Sequence, residues 1–440
     1  MHKKKQLFGH PVGLYILFLT ELWERFSYYG MRAILVLFLV ASTKGANPGF
    51  GWTETQALQL YGIYTFLVYL SSLPGGIVAD KWLGQKNTLI LGGVLLVIGH
   101  SILAVQDLRA FYIGIAFIIA GVGCLKSNVS TMVGGLYAPG DDRRDRGFSI
   151  FYIGINLGAF SSALVVGYVG EVYGWHYGFG LAGIGMAVGL VTFLLGKKYL
   201  KGVGESHKTL SPDERQIHKQ RLTNIEKDRI LVMLLSFFMI IVFWGAYEQA
   251  GGLMNLYADQ KTNRVFSLLN FKVPASWFQS LTPFFIITLS TTVAAFWYRH
   301  KKKGKESSSI FKIAIGVIIM GSGFLFMAAA VIQYQREGSS AMYWLVLAYL
   351  FHTVGELCAS PVALSYITKL APKKYGSIMM GTFFAATGLG NYLAGWIGIW
   401  SQTAGELTIF LGITVFCTIF GLLVLALLKP LKRLAHQAED

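Results

Sequence analysis

The stretch that decides the fold runs from Pro11 to Ala41 and reads PVGLYILFLTELWERFSYYGMRAILVLFLVA. Its length and apolar content predict a membrane-spanning helix, because about 20 such residues cross a hydrocarbon core. Four charged residues interrupt it, namely Glu21, Glu24, Arg25 and Arg32. At 3.6 residues per turn, these charges and the tyrosines between them share an arc of about 140°. That face must contact protein or water, and charge at this depth indicates a functional site.

The rest of the chain repeats the apolar pattern. Of its 440 residues, 54% are hydrophobic and 14% are charged, whereas a soluble domain carries roughly 25% charged residues. Twelve apolar stretches are long enough to span a bilayer: residues 11–41, 55–79, 87–105, 110–137, 147–170, 174–196, 229–257, 276–298, 310–332, 341–369, 375–402 and 405–428. We therefore predict an all-α membrane protein with twelve transmembrane helices in two six-helix halves.

The positive charge is distributed as in a membrane protein. With a cytoplasmic N-terminus, most of the 38 Lys and Arg residues fall in the terminal tails and the even-numbered loops, as the positive-inside rule requires. We predict an integral protein of a bacterial-type inner (plasma) membrane with both termini in the cytoplasm. The basic runs Lys3 to Lys5 and Lys301 to Lys303 are interpreted as topological anchors, so no nucleic-acid partner is expected despite the net charge of +16.

The longest connection divides the chain. We predict an N-terminal six-helix half at 1–196, a cytoplasmic linker with an amphipathic helix at 197–227, and a C-terminal half at 228–440. Ser211 followed by Pro212 is a favourable helix start within the linker. A shift of 233 residues aligns two similar segments of the fourth and tenth spans, pairing Ser127, Val129, Ala138 and Pro139 with Ser360, Val362, Ala371 and Pro372. This faint repeat is typical of the major facilitator architecture.

Three further ionisable residues lie inside the predicted spans, namely Lys126, Glu248 and Glu356. Because a lone charge at the midplane costs several kcal/mol, each is expected to have a partner. The repeat register predicts a pair of Lys126 with Glu356 on the cytoplasmic side. The depth of Arg32 and Glu248 predicts a second pair on the outer side. Two pairs that cannot both close at once would act as alternating gates.

Other polar residues in the spans are assigned to packing. His100 and His352 are expected to be hydrogen-bonded within the helix bundle, and Cys124, Cys358 and Cys417 to be small packing residues. Neither set has the spacing of metal ligands or of a catalytic constellation. We therefore expect no metal site, no catalytic residue and no cofactor.

Five motifs then identify a family. They resemble, in order along the chain, the conserved segments of the proton-dependent oligopeptide transporters, which have the major facilitator fold. The family patterns are E-x-x-E-R-F-x-Y-Y, K-P-N-V-S, F-Y-x-x-I-N-x-G and two glutamate motifs in spans seven and ten. In this chain they correspond to Glu21 to Gly30, Lys126 to Ser130, Phe151 to Gly158, Phe243 to Gln249 and Gly355 to Val362.

The resemblance implies a role for each matching residue. It implies that Glu21, Glu24 and Arg25 couple transport to protons. It implies substrate-binding or gating positions at Arg25, Tyr28, Tyr29, Arg32, Tyr69, Lys126, Asn156, Glu248 and Glu356. The gating pairs among these are Arg32 with Glu248 and Lys126 with Glu356.

The chain also departs from the family pattern. Ser127 replaces the proline of K-P-N-V-S, Thr282 replaces an asparagine before Pro283, and Phe383 replaces a tryptophan. These changes bear on side-chain and length preference. Many bacterial members carry two extra helices between the halves, and residues 197–227 contain no apolar span.

The charged side chains match the ends of a short peptide. Arg25, Arg32 or Lys126 suits a carboxylate, whereas Glu356 or Glu248 suits an ammonium group. We predict a proton-coupled symporter that imports di- and tripeptides by alternating access, with the peptide bound at the midplane between the halves. Its partners would be small peptides, protons and the lipid bilayer. The main alternative is a proton-coupled carrier of nitrate, a drug or a peptide-like compound on the same fold; a membrane enzyme or a receptor fits less well.

Overall fold

The structure is a computed structural model, and it describes residues 5–138, 141–205, 223–268, 270–372 and 376–436. Most of the described residues are helical. Within the same ranges, six strands of two residues each form three pairs. β1 (Gln6–Leu7) pairs with β2 (His10–Pro11), and β4 (Val265–Phe266) with β5 (Phe271–Lys272), both antiparallel. β3 (Thr262–Asn263) pairs in parallel with β6 (Ser340–Ala341).

Seven α-helices lie in the described residues before the predicted linker. They are α1 (Val12–Val40), α2 (Glu54–Leu70), α3 (Ser72–Val78), α4 (Gly84–Leu103), α5 (Leu108–Gly135), α6 (Arg143–Tyr168) and α7 (Trp175–Gly196). Short π-helical turns at Ala79–Leu83 and Val169–Tyr173 extend α3 and α6, and a 3-10 turn at Lys197–Leu200 follows α7.

The described part of the chain after the linker contains nine further α-helices. They are α8 (Asn224–Tyr247), α9 (Leu253–Lys261), α10 (Leu281–Lys302), α11 (Ser309–Ser322), α12 (Phe324–Glu337), α13 (Met342–Leu370), α14 (Gly376–Ala404), α15 (Glu406–Ala426) and α16 (Leu428–Leu434). Turns of 3-10 helix at Glu248–Ala250 and Ala275–Ser280 precede α9 and α10.

The helices confirm the predicted fold class. Within the described ranges, nine helical runs are long and apolar enough to cross a membrane. One of them, Glu54–Leu103, has 50 residues and contains the second predicted span and all but the last two residues of the third. α1 has 29 residues and carries Glu21, Glu24, Arg25 and Arg32. The count of twelve spans stays a prediction.

Side-chain caps begin two of the helices. Asp107 Oδ1 accepts hydrogen bonds from the backbone N–H groups of Arg109 and Ala110, each at 2.9 Å, at the start of α5. Thr223 and Glu226 form a capping box at the start of α8. Such caps satisfy N–H groups that have no partner inside the helix. The linker helix predicted to start at Ser211 lies outside the described residues.

Contacts divide the chain into two compact units. Unit 1 comprises Met1–Thr53, Leu67–Lys208 and Pro274–Pro283. Unit 2 comprises Glu54–Phe66, Thr209–Val273 and Phe284–Asp440. Each unit thus includes a short segment from the other side of the linker, and the domain boundaries drawn at 196 and 228 stay a prediction.

In unit 1, α1 packs against α6 and α7, and α4 packs against α5 and α7. Glycines allow the closest approaches, as is usual between membrane helices. A Cβ atom on Gly75 of α3 would lie 2.0 Å from the carbonyl oxygen of Gly123 on α5. A Cβ atom on Gly158 of α6 would lie 2.2 Å from the carbonyl oxygen of Leu22 on α1.

One carboxylate holds the segment 274–283 within unit 1. Glu171 accepts hydrogen bonds from the backbone N–H of Ala275 at 2.9 Å and from that of Ser276 at 2.8 Å. It also accepts one from the Ser276 hydroxyl at 2.6 Å. Trp277 adds a bond from its indole nitrogen to the carbonyl oxygen of Leu164 at 2.9 Å. Glu171 therefore caps the 3-10 turn that precedes α10.

Helices of unit 2 also approach one another closely at glycines. α14 lies against α8, and α11 lies against α13 and α15. At the α11–α13 contact, a Cβ atom on Gly316 would lie 2.7 Å from the carbonyl oxygen of Gly355, and one on Gly355 would lie 2.6 Å from that of Gly316. Both units therefore depend on glycine where two helix backbones meet.

The substitution Gly75→Ala tests this dependence. The added methyl group would meet a backbone oxygen that cannot move aside, and overpacking of this kind costs about 1–3 kcal/mol. We expect a lower melting temperature for the purified protein in detergent.

Gly412→Ala is the matched control, because nothing lies within 4 Å of a Cβ atom there. Both substitutions gain the same helix propensity relative to glycine. Equal melting temperatures for the two variants would contradict the close approach of α3 and α5.

Candidate functional site

The charged face of α1 is buried inside unit 1. Glu21, Glu24 and Arg25 are at most 4% exposed. Arg25 Nε lies 3.0 Å from Glu21 Oε1 and also forms an ion pair with Glu24. The spacing of three and four residues places these side chains on neighbouring turns of one face. Two carboxylates thus share one guanidinium group, and protonation of either would weaken its hold on Arg25.

Aromatic rings surround the same arginine. The Arg25 guanidinium carbon lies 5.4 Å from the ring centroid of Tyr28 and 5.8 Å from that of Tyr29. Arg32 lies about two turns beyond Arg25 along α1, with its guanidinium carbon 5.1 Å from the centroid of the Tyr29 ring. Cations at these distances are attracted to the ring faces. Tyr29 therefore stands between the two arginines.

Lys126 brings a third cation to this part of unit 1. Its Nζ atom lies 3.4 Å from the ring centroid of Tyr69, which places the α5 lysine directly against α2. It also interacts electrostatically with Glu21, Glu24 and Arg25. The α1 charges and Lys126, predicted from separate motifs, therefore form one electrostatic cluster. We call these residues and Arg32 the unit 1 charge cluster.

Asn156 lies on α6, the helix that packs against α1. Its side chain is 5% exposed, and its amide nitrogen donates to the carbonyl oxygen of Tyr152 at 3.0 Å. This bond stays within α6. Its predicted contact with a peptide backbone stays a prediction.

Unit 2 contains the two remaining predicted carboxylates. Glu248 is 2% exposed and begins the 3-10 turn that follows α8. The Tyr61 hydroxyl donates to its Oε2 atom at 3.0 Å. Gly251 makes this approach possible, because a Cβ atom there would lie 1.8 Å from the Tyr61 hydroxyl oxygen.

Glu356 has the same kind of partner. It lies half-buried in the middle of α13, and the Tyr247 hydroxyl donates a short hydrogen bond to its Oε2 atom. Glu248 and Glu356 each therefore accept a hydrogen bond from a tyrosine hydroxyl of another helix. Hydrogen bonds to a charged acceptor are stronger than those between neutral groups.

Sequence reasoning missed both tyrosines. Tyr247 stands next to Glu248 inside the span-seven motif, and its position beside a buried glutamate was the available signal. Tyr61 is 187 residues from Glu248, and no local pattern marks it. Of the substituted family positions, Phe383 is buried at 8% exposure and packs edge-on against Phe384.

The expectation for the histidines is wrong. His100 and His352 are at most 1% exposed. In the part of the chain that the structure describes, neither ring nitrogen of either histidine has a hydrogen-bond partner. The His352 ring instead packs against Phe324, with 4.5 Å between centroids. Apolar packing at these positions has overridden the usual pairing of buried polar groups.

The predicted gates, Arg32 with Glu248 and Lys126 with Glu356, each join a residue of unit 1 to one of unit 2, and they stay predictions. Among the described residues, no group of three or more His, Cys, Asp or Glu side chains gathers as a metal site would require. Cys358 and Cys417 are buried free thiols, and Cys124 is partly buried.

Comparison with known proteins decides the family. The model of the POT family matches residues 86–220 and 213–405. The chain belongs to the POT family. It is 34% identical to a peptide transporter of Yersinia enterocolitica over 99% of this chain and 97% of that protein. It is 33% identical to a di-/tripeptide transporter of Lactococcus lactis subsp. cremoris over 98% of each.

The solved structures agree. A crystal structure of a POT peptide transporter in complex with sulfate superposes on this chain with a TM-score of 0.90 and 34% sequence identity. The match covers 98% of this chain and 97% of the transporter chain in that crystal structure. The family predicted from five motifs and the transporter fold are therefore confirmed. The chain is an integral membrane protein of a transporter family.

The mutual compensation of Glu21, Glu24 and Arg25 can be tested by measuring the melting temperatures of charge variants. Removing one partner of a buried ion pair costs about 3–5 kcal/mol, because the other charge is left uncompensated. We expect Arg25→Gln to lower the melting temperature of the purified protein markedly. The triple variant Glu21→Gln, Glu24→Gln, Arg25→Gln removes all three charges at similar volume and should recover much of the loss. If the single and triple variants melt together, the three side chains do not form one compensated cluster.

Proposed function

We propose that this POT family protein is a proton-coupled symporter that imports di- and tripeptides by alternating access. The observation that carries the proposal is the buried Glu21, Glu24 and Arg25 cluster, which combines proton-accepting carboxylates with a carboxylate-binding guanidinium. The names of the two relatives, a peptide transporter and a di-/tripeptide transporter, support the substrate class.

The predicted binding residues include partners for both ends of a peptide. Arg25, Arg32 and Lys126 in unit 1 are suited to the terminal carboxylate. Glu248 and Glu356 in unit 2 are suited to the terminal ammonium group. Tyr28, Tyr29, Tyr69 and Asn156 offer hydroxyl, amide and ring surfaces for the peptide backbone and varied side chains.

Coupling follows from competition for Arg25. While both glutamates are ionised, they hold the guanidinium at ion-pair distance. Protonation of Glu21 or Glu24 removes part of that attraction and frees Arg25 for the peptide carboxylate. Proton and peptide then favour the same state, which is the requirement for coupling through population shift.

The gates and the orientation belong to the proposal as well. Arg32 with Glu248 would close the outer side, and Lys126 with Glu356 the cytoplasmic side. The Lys and Arg distribution supports an inner (plasma) membrane location with both termini in the cytoplasm. The proton gradient is the driving force, at about 2.3 kcal/mol for each charge moved across 100 mV, so no cofactor is needed.

Uptake into proteoliposomes tests the function. We expect labelled dipeptide to accumulate under an inwardly directed proton gradient and to stop accumulating when a protonophore is added. An N-acetylated dipeptide lacks the ammonium group and should compete about tenfold or more weakly, the equivalent of a charge-assisted hydrogen bond of about 1.5–3 kcal/mol.

Glu356→Gln is the matched variant, because it keeps the side-chain shape and removes the charge. It should reduce the discrimination between free and N-acetylated peptide. Full competition by N-acetylated dipeptide against the unsubstituted protein would contradict ammonium recognition. Absence of gradient-driven uptake of any short peptide would contradict the proposed function itself.

A further inference from the structure

Unit 2 contains a cavity that neither Glu248 nor Glu356 lines. It has a volume of about 470 Å³, within the roughly 300–1,000 Å³ typical of ligand pockets. Five helix ends or turns enclose it: the start of α2, the end of α9, the last turns of α12, the end of α14 and the start of α15. Its lining residues are Glu54, Lys261, Val331, Tyr334, Gln335, Ser401, Gln402, Ala404, Gly405, Glu406, Leu407 and Thr408.

The charged groups of the lining are held in two polar pairs. Lys261 Nζ lies 2.7 Å from Glu406 Oε2, in an ion pair whose side chains are 26% and 12% exposed. The Gln402 amide nitrogen donates to Glu54 Oε2 at 2.7 Å. The Tyr334 ring forms a wall, with Lys261 Nζ 5.3 Å from its centroid. Two carboxylates and one ammonium leave the lining with a formal charge of −1.

This pattern is the charge complement of a zwitterion. A ligand with an ammonium group at one end is attracted to Glu54 and Glu406, and a carboxylate at its other end can replace Glu406 at Lys261. The excess of one negative charge makes the ammonium group the required feature. Charge-assisted hydrogen bonds of both kinds would then be available in a partly enclosed site.

We propose that this cavity is a second binding site for small peptides, which it recognises by their free ammonium group. Only the choice of a peptide as ligand rests on the proposed function. Glu248 and Glu356 do not line the cavity, so the two sites have separate ammonium acceptors. With the predicted orientation, the helix ends around it face outwards, and the site would concentrate substrate where the peptide enters.

Protection of a cysteine from labelling tests the site without changing its charges. Thr408 lines the cavity and is exposed, whereas Thr403 is exposed and is absent from the lining. Full-length Thr408→Cys and Thr403→Cys proteins in nanodiscs are treated with a polar maleimide, with and without alanyl-alanine. The unsubstituted protein gives the background from its three native cysteines.

We expect alanyl-alanine to slow labelling of Thr408→Cys and to leave Thr403→Cys unaffected. At a free concentration about ten times Kd, mass action leaves about one site in eleven empty, so labelling should slow about tenfold. N-acetyl-alanyl-alanine at the same concentration should not protect. Protection should persist when Glu356→Gln is added.

Three results would overturn the proposal. They are no protection of Thr408→Cys at dipeptide concentrations that saturate uptake, equal protection of both cysteine variants, and loss of protection when Glu356→Gln is present. Loss of protection with Glu356→Gln would show that the labelling rate reports peptide binding at Glu356 and not in the cavity. Labelling needs no transport, so failure of the proposed function would appear in the uptake assay alone.

Discussion

The rest of the structure depends on the ion pairs that Arg25 makes with Glu21 and Glu24. Three ionised groups inside a membrane-spanning helix would cost many kcal/mol if they faced lipid, and they are tolerated because they neutralise one another away from it. This requirement orients α1, whose charged face must be covered by protein. Part of this cover comes from α6, because a Cβ atom on Gly158 would lie 2.2 Å from the carbonyl oxygen of Leu22 and 3.0 Å from the Cβ atom of Arg25. The absence of a side chain at Gly158 lets the α6 backbone come this close to α1.

The charges of Glu21, Glu24 and Arg25 do not balance, and this separates these residues from a purely structural ion pair. One guanidinium shared by two carboxylates has a surplus of negative charge, which Lys126 partly balances. In the proposed coupling, one added proton redistributes the interactions among these groups. In unit 2, by contrast, Tyr61 and Tyr247 hold Glu248 and Glu356 with neutral hydroxyl groups. The predicted binding residues of the two units therefore differ in charge: unit 1 contributes Arg25, Arg32 and Lys126, and unit 2 contributes Glu248 and Glu356.

Much of this was predictable because it is local in sequence. The arc of Glu21, Glu24 and Arg25 follows from helix geometry alone, and the apolar runs follow from the thickness of a bilayer. The contacts that join distant segments were not predictable. Tyr61 with Glu248 and Glu54 with Gln402 depend on how α2 packs within unit 2, and no local pattern encodes that. His100 and His352 were predicted wrongly for a different reason. The prediction applied the general rule that buried polar groups are hydrogen-bonded, whereas these two rings are buried without a hydrogen-bond partner among the described residues.

The most direct test of the central claim is a comparison of two transport assays on Glu24→Gln in proteoliposomes. Counterflow exchange of peptide needs no net proton movement, whereas accumulation under a pH gradient does. If Glu24 with Arg25 couples the proton to the peptide, the variant retains measurable counterflow and loses gradient-driven accumulation. A Glu24→Gln protein that still concentrates peptide under a proton gradient would contradict this role for the cluster.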